Sequence, residues 1–166
     1  FSFYNIDEKA NCELWNGIAI YCYNKETIKK AGACPYDYIV VSEPQPQTIR
    51  SSAFQNVMSL NYNHQNSVLA HEIGHALKTH FAEEYETNAK IPRDSENCQK
   101  TCDKFQEFSQ ESGCNQGCTD NTHYREFEEG FMRTLSAERY GPFNENLLEK
   151  SIIKETGEES SSITGF

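Results

Sequence analysis

The chain lacks what would take it into a membrane or onto a polyanion. No apolar run in its 166 residues approaches the roughly 20 residues a membrane-spanning helix needs. Basic residues are scarce: 15 Lys and Arg stand against 25 Asp and Glu, for a net charge of −10. That balance argues against nucleic acid or an anionic membrane surface as a partner, because both would be repelled. There is no internal repeat. There is no Asn-x-Ser/Thr acceptor, so glycosylation argues neither for nor against export. The chain opens at Phe1 with no Met and no signal-like segment, from which a processed, mature form is expected. What remains is ordinary for a globular protein, with 37% hydrophobic and 24% charged residues, at a length that suits one domain with a real core.

Cysteine is abundant. Seven in a chain of this length point to an oxidising compartment and a secreted protein. Cys98, Cys102, Cys114 and Cys118 are regularly spaced. If both pairs sit on helical turns, antiparallel packing would allow Cys98–Cys118 and Cys102–Cys114 bridges, the preferred pairing, although spacing does not fix connectivity. A structural Cys₄ zinc site is the rival, although such sites usually use closer C-x-x-C spacing. Cys12, Cys22 and Cys34 form an odd set, so one of them is expected to be free or paired outside the chain.

Along the chain, residues 1–16 show no clear period. Gly17–Tyr23 reads as a strand, and Glu26–Ala31 as a short helix stopped by Gly32. Tyr36–Ser42 is the strongest strand signal. Its continuous Ile39-Val40-Val41 run suggests a central strand covered on both faces. Glu43-Pro44-Gln45-Pro46 must be a loop. Phe54–Leu60 reads as one more strand. It is either an ordinary sheet strand or an edge that accepts substrate backbone. Residues 87–123 are polar, poor in aliphatics and cysteine-bearing, and read as a disulfide-stapled excursion. Gly141-Pro142 is a turn. Asn144–Glu155 is an amphipathic helix with Leu147, Leu148, Ile152 and Ile153 on one face, stopped by Gly157. Glu158–Phe166 is Ser- and Glu-rich and expected to be a mobile tail. The fold class expected is mixed α/β of the α+β kind: a small mixed sheet packed on one central helix, a C-terminal helix and the stapled excursion. Residues 1–157 would form a single domain, with one part over 1–77 and another over 78–157.

That central helix carries the chemistry. Val68-Leu69-Ala70-His71-Glu72-Ile73-Gly74-His75-Ala76-Leu77 contains H-E-x-x-H on an apolar helical pattern, with Ser67 as a candidate N-cap. His71 and His75 are four apart, which places them on one helix face about 6 Å apart at Cβ. Two imidazoles so placed can grip one Zn²⁺. Glu72, one position round the helix, can hold a zinc-bound water and take its proton. An amphipathic helix with two structurally satisfied histidines would show the same letters.

Catalytic zinc needs a third protein ligand. A glycine three residues after the second His, with a ligand three further on, would fit the metzincin pattern, but Lys78 and Phe81 occupy those positions. A Glu from a later helix would fit the gluzincin pattern. Glu126, Glu128 and Glu129 are then candidates, since Glu129-Gly130-Phe131 is similar to a stretch of zinc aminopeptidases. An acidic residue soon after the helix is the third option. On a continuous helix Glu83 would rise about 12 Å beyond His75, and His80 would point about 140° away from it. Either can therefore be a ligand only if the chain breaks near residues 78–80.

Four stretches together resemble the IgA-peptidase-like branch of the metzincin zinc metallopeptidases. They are His71-Glu72-Ile73-Gly74-His75-Ala76-Leu77, Phe81-Ala82-Glu83-Glu84-Tyr85, Tyr124-Arg125-x-Phe127-x-x-x-Phe131-Met132-Arg133, and Gly141-Pro142-Phe143-Asn144-Glu145-Asn146-Leu147-Leu148. The likeness runs from about Tyr36 to Ile153. It implies Glu83 as third ligand, in place of the family's Asp, and Met132 as the methionine of the Met-turn. Two departures stand out. Glu83 lies one residue further from His75 than in the family, and Lys78-Thr79 replaces its Gly pair. The reading is a secreted, monomeric zinc endopeptidase with metal ligands His71, His75 and Glu83, general base Glu72, and an extended protein or peptide as substrate. Tyr85, Tyr124, Arg133 and Tyr140 are unranked candidates for stabilising the oxyanion. The alternatives are a zinc-binding or inactive toxin-like interaction module whose H-E-x-x-H does no catalysis, and a zinc hydrolase acting on something other than peptide.

Overall fold

A computed structural model of the chain describes residues 2–157, so the expected tail, 158–166, lies outside the described residues. The fold is mixed α+β, with small sheets and short helices. The chain divides into two compact units, Phe1–Ala76 and Leu77–Phe166.

The first unit opens with a hairpin of strands β1 (Glu13–Trp15) and β2 (Ala19–Tyr21). Its turn is Asn16-Gly17, with both residues at positive φ. This is the pairing a tight hairpin favours, and it supplies an element where no period was legible. Helix α1 (Lys25–Ala31) follows. The Asn24 side chain accepts from the amides of Glu26 and Thr27 to cap it, and Gly32 closes it.

Strand β3 (Ile39–Glu43) pairs in parallel with β5 (Val57–Asn61), which pairs antiparallel with β4 (Ser52–Phe54). The order β3-β5-β4 corrects two expectations. The Ile39-Val40-Val41 run belongs to an edge strand, with Val40 half exposed, and the central strand is β5, whose five residues are all buried. Phe54–Leu60 is not one strand but the end of one and most of the next. The chain reverses at Gln55, which takes a φ of 52° without the glycine that would have announced it.

The core of this unit gathers Ile20, Cys22, Val41 and Val57. Two polar residues of β5 are satisfied within it. Ser59 accepts the Cys22 amide at 3.1 Å. Asn61 donates to the carbonyls of Pro46 and Ile49 and accepts from the Gln45 amide, which ties down the Pro44–Pro46 breaker. Helix α2 (Ser67–Ala76) packs on β4 and β5. It begins at Ser67 itself, so that residue lies inside the helix.

In the second unit, helix α3 (Asp103–Phe108) is followed by the hairpin β6 (Asn115–Cys118) and β7 (Asp120–Arg125). The excursion expected over 87–123 thus has secondary structure of its own. Disulfides join Cys98 to Cys118 and Cys102 to Cys114. The pairing is the expected one, but the scaffold differs: Cys118 ends β6 and Cys114 directly precedes it, so the bridges do not link two helical turns. Cys12 pairs with Cys22, and Cys34 is a free thiol.

Helix α4 (Pro142–Thr156) starts earlier than its apolar pattern suggests, because Pro142 occupies its first turn, where a missing N–H costs nothing. Gly157 ends it at a φ of 68°. Its buried residues are Phe143, Asn144 and Leu148. Leu148 packs with Phe81 and Met132. No helix among the described residues is long and apolar enough to cross a membrane.

Candidate metal centre

On α2, one helical turn carries His71 to His75. The two rings meet nearly edge to face, with Nε2 atoms 3.1 Å apart and centroids 4.8 Å apart. Donor atoms around one tetrahedral zinc, at bonds of about 2.0–2.1 Å, stand about 3.4 Å from each other, so this spacing suits two nitrogens sharing an ion. His71 and Glu72 are both buried.

The helix stops at Ala76. The amide of His80 bonds back to the Leu77 carbonyl at 2.9 Å, and His80 takes a φ of 44°. The chain therefore breaks at Lys78-Thr79, and the left-handed residue falls on His80. Phe81, only 1% exposed, anchors the returning chain in its core cluster. Glu83 follows at once. Ligand atoms of His71, His75 and Glu83 all lie within 4.8 Å of one another. The whole group is carried by one continuous stretch of 13 residues. Two imidazoles and a carboxylate are a donor set that could hold a metal ion, and it is the one such group of three or more found among the described residues.

The other candidates lie elsewhere. His80 is exposed on the turn. Glu126 is buried, and its carboxylate accepts the Phe143 amide at 3.3 Å, so it caps the start of α4; burial pushes its pKa up. Glu128 and Glu129 are exposed, and Glu129 faces Arg133 at 3.9 Å. Arg133 donates to the Glu84 carbonyl at 2.7 Å and lies 3.7 Å from Glu86. Tyr140 stacks edge-on with Phe81 and Phe131. The backbone of Tyr124 exchanges two hydrogen bonds with Gln99, and Tyr85 is half-buried. Arg133 and Tyr140 thus already have structural duties in the second unit.

Sequence reasoning missed the residues that hold the segment bearing Glu83. Asn97, fully buried, accepts the Ala82 amide at 2.9 Å and donates to the Ala82 carbonyl at 2.9 Å. It also donates to Glu84 at 3.0 Å, and Asn144 donates to the same carboxylate oxygen at 2.8 Å. Glu84 is fully buried, so Glu83-Glu84 is not a solvated charge pair. Burial pushes the Glu84 carboxyl up to about 7, against the lowering effect of the two asparagines. The Glu84 amide bonds to the Met132 carbonyl at 2.9 Å, which seats the Met-Arg stretch beside the returning chain. Nothing in local periodicity marks Asn97 or Asn144, because their roles depend on partners 13 to 60 residues away.

No protein-family model matches this chain, and no curated protein sequence is significantly similar to it.

Proposed function

We propose that this protein is a secreted zinc-dependent endopeptidase acting on extended protein or peptide substrates. The observation that carries the reading is the convergence of His71, His75 and Glu83 beside Glu72 on one short stretch of chain. The three would hold the ion, leaving room for a reactant, as three-ligand sites of this donor chemistry do. A bound zinc supplies Lewis acidity to the scissile carbonyl and makes water a stronger acid. Glu72, on the turn between the two imidazoles, takes the proton from the attacking water and passes it to the leaving amine. Three disulfides among the described residues suit an oxidising, extracellular setting.

Most of Phe54–Leu60 offers no free edge, because β5 is the central strand, and the chain just before β4 is bridged to β2 at Arg50. Arg50 exchanges backbone bonds with Ile18 and Ile20, and the Ser52 hydroxyl donates to the Ile20 carbonyl. A substrate strand would have to pair elsewhere.

The test is zinc stoichiometry together with cleavage of a quenched random-peptide library, on wild type and Glu72→Ala. One zinc per chain in both, with cleavage lost only in the mutant, is expected. A well-folded Glu72→Ala variant that still cleaves would overturn the mechanism. Zinc in both with cleavage in neither would favour an interaction module.

A further inference from the structure

The turn between β6 and β7 is a single residue, Thr119. Thr119 has a φ of 65°, a left-handed conformation that is an outlier for a β-branched side chain. Thr119 is 1% exposed, so the conformation is imposed by its surroundings. Its carbonyl accepts the amides of Thr87 at 3.0 Å and Asn88 at 2.8 Å. Gly117, also at positive φ, precedes it by two residues, and Cys118 between them is bridged to Cys98. Such strain persists only where surrounding structure over-determines it, and it gathers at functional sites.

The side chain gives this strain a purpose. The Thr119 hydroxyl donates to the backbone carbonyl of Glu83 at 2.9 Å. Both sulfurs of the Cys98–Cys118 bridge lie 3.8 Å from that same oxygen. The segment 82–84 is therefore gripped at each residue: Ala82 by Asn97, Glu83 by Thr119, and Glu84 by Met132 and Arg133. Of these grips, the one on the residue that would bind metal comes from the strained position.

We propose that Thr119 is a positioning residue for the third metal ligand: its hydroxyl, held by the strained β6–β7 turn, fixes the Glu83 backbone so that the carboxylate is presented to the ion. This rests on the reading of Glu83 as a metal ligand. Groups that orient a metal ligand typically carry about 10- to 100-fold in metal affinity. Thr119→Val keeps the shape and the β-branch and removes only the hydroxyl. Thr119→Ser keeps the hydroxyl.

The experiment measures zinc affinity by competition with a chromophoric chelator, and the visible absorption of the cobalt-loaded protein. It uses wild type, Thr119→Val, Thr119→Ser, Glu83→Ala, and the Glu83→Ala/Thr119→Val double variant. The melting temperature of each metal-free protein is recorded alongside; if Thr119→Val does not fold, Thr119→Ala replaces it. Thr119→Val is expected to weaken zinc about 10-fold or more and to shift the cobalt spectrum toward that of Glu83→Ala. Thr119→Ser is expected to stay near wild type, and Thr119→Val to add nothing once Glu83 is Ala. A purely structural Thr119 would lower the melting temperature without this coupling, and full zinc affinity in a folded Thr119→Val overturns the proposal. An unchanged affinity and spectrum in Glu83→Ala overturns instead the ligand assignment beneath it.

Discussion

Glu84 shows how far a single residue can depart from its appearance in the sequence. Next to the candidate ligand it looks like half of an exposed acidic pair, yet it is buried between two asparagines. A carboxyl whose folded pKa, about 7, exceeds its ordinary value of 4.5 binds more protons folded than unfolded. Its contribution is then full below about pH 4.5 and lost as the pH rises toward 7, by on the order of 3 kcal/mol. In the metal-free protein, Glu84→Gln should flatten this slope while keeping an acceptor for both asparagines. Urea denaturation at about pH 5 and about pH 8 would check it, and parallel pH profiles for the two proteins would count against the assignment. The free Cys34 and the capping Glu126 were equally opaque. The first depended on which of three cysteines paired, and the second on a helix amide 17 residues away.

At the scale of elements, helices were more legible than strands. Helix α4 declared itself through a recurring apolar face, and α2 through both its apolar spacing and its histidines. The strands were blurred because two hairpins turn on local backbone conformation. Asn16-Gly17 carried a readable turn signal, whereas Gln55 carried none. The loop bearing Met132 is also set by backbone contacts. The Gly130 carbonyl accepts the amides of Arg133 and Thr134, and a Cβ at Gly130 would stand 2.4 Å from the Tyr140 carbonyl. Gly130→Ala should therefore cost about 1–3 kcal/mol through forced backbone movement. Gly130 is not among the glycines at positive φ, so thermal melting of Gly130→Ala would read the clash without left-handed strain, and an unchanged melting temperature would count against it.

At the scale of the whole molecule, three disulfides among the described residues cross-link short elements. The Cys98–Cys118 bridge closes a separation of 20 residues, worth about 3 kcal/mol in the chain-entropy account. Replacing both cysteines with Ser should lower the denaturation midpoint accordingly. It should also weaken metal binding, because the bridge adjoins the Glu83 carbonyl; a variant with unchanged zinc affinity would show the bridge to be purely structural. On the proposed zinc reading, a chelator should reduce stability in a zinc-concentration-dependent way, by about 4 kcal/mol when zinc had stood at about 1,000 times its Kd, with a corresponding fall in melting temperature. No dependence on zinc would sink the metal-site reading altogether.

By itself the sequence determined what short-range geometry can determine. Four-residue spacing on an apolar helix puts His71 and His75 on one face, and Glu72 must then sit beside them. The regular cysteine spacing also favoured the two bridges that form. Only the tertiary structure decided which acidic side chain joins the imidazoles. That choice depends on where α2 stops, on the left-handed turn at His80, on the burial of Phe81, and on distant residues that grip the segment from Ala82 to Glu84. These are long-range packing and hydrogen-bonding terms, to which the periodicity of a linear chain is blind.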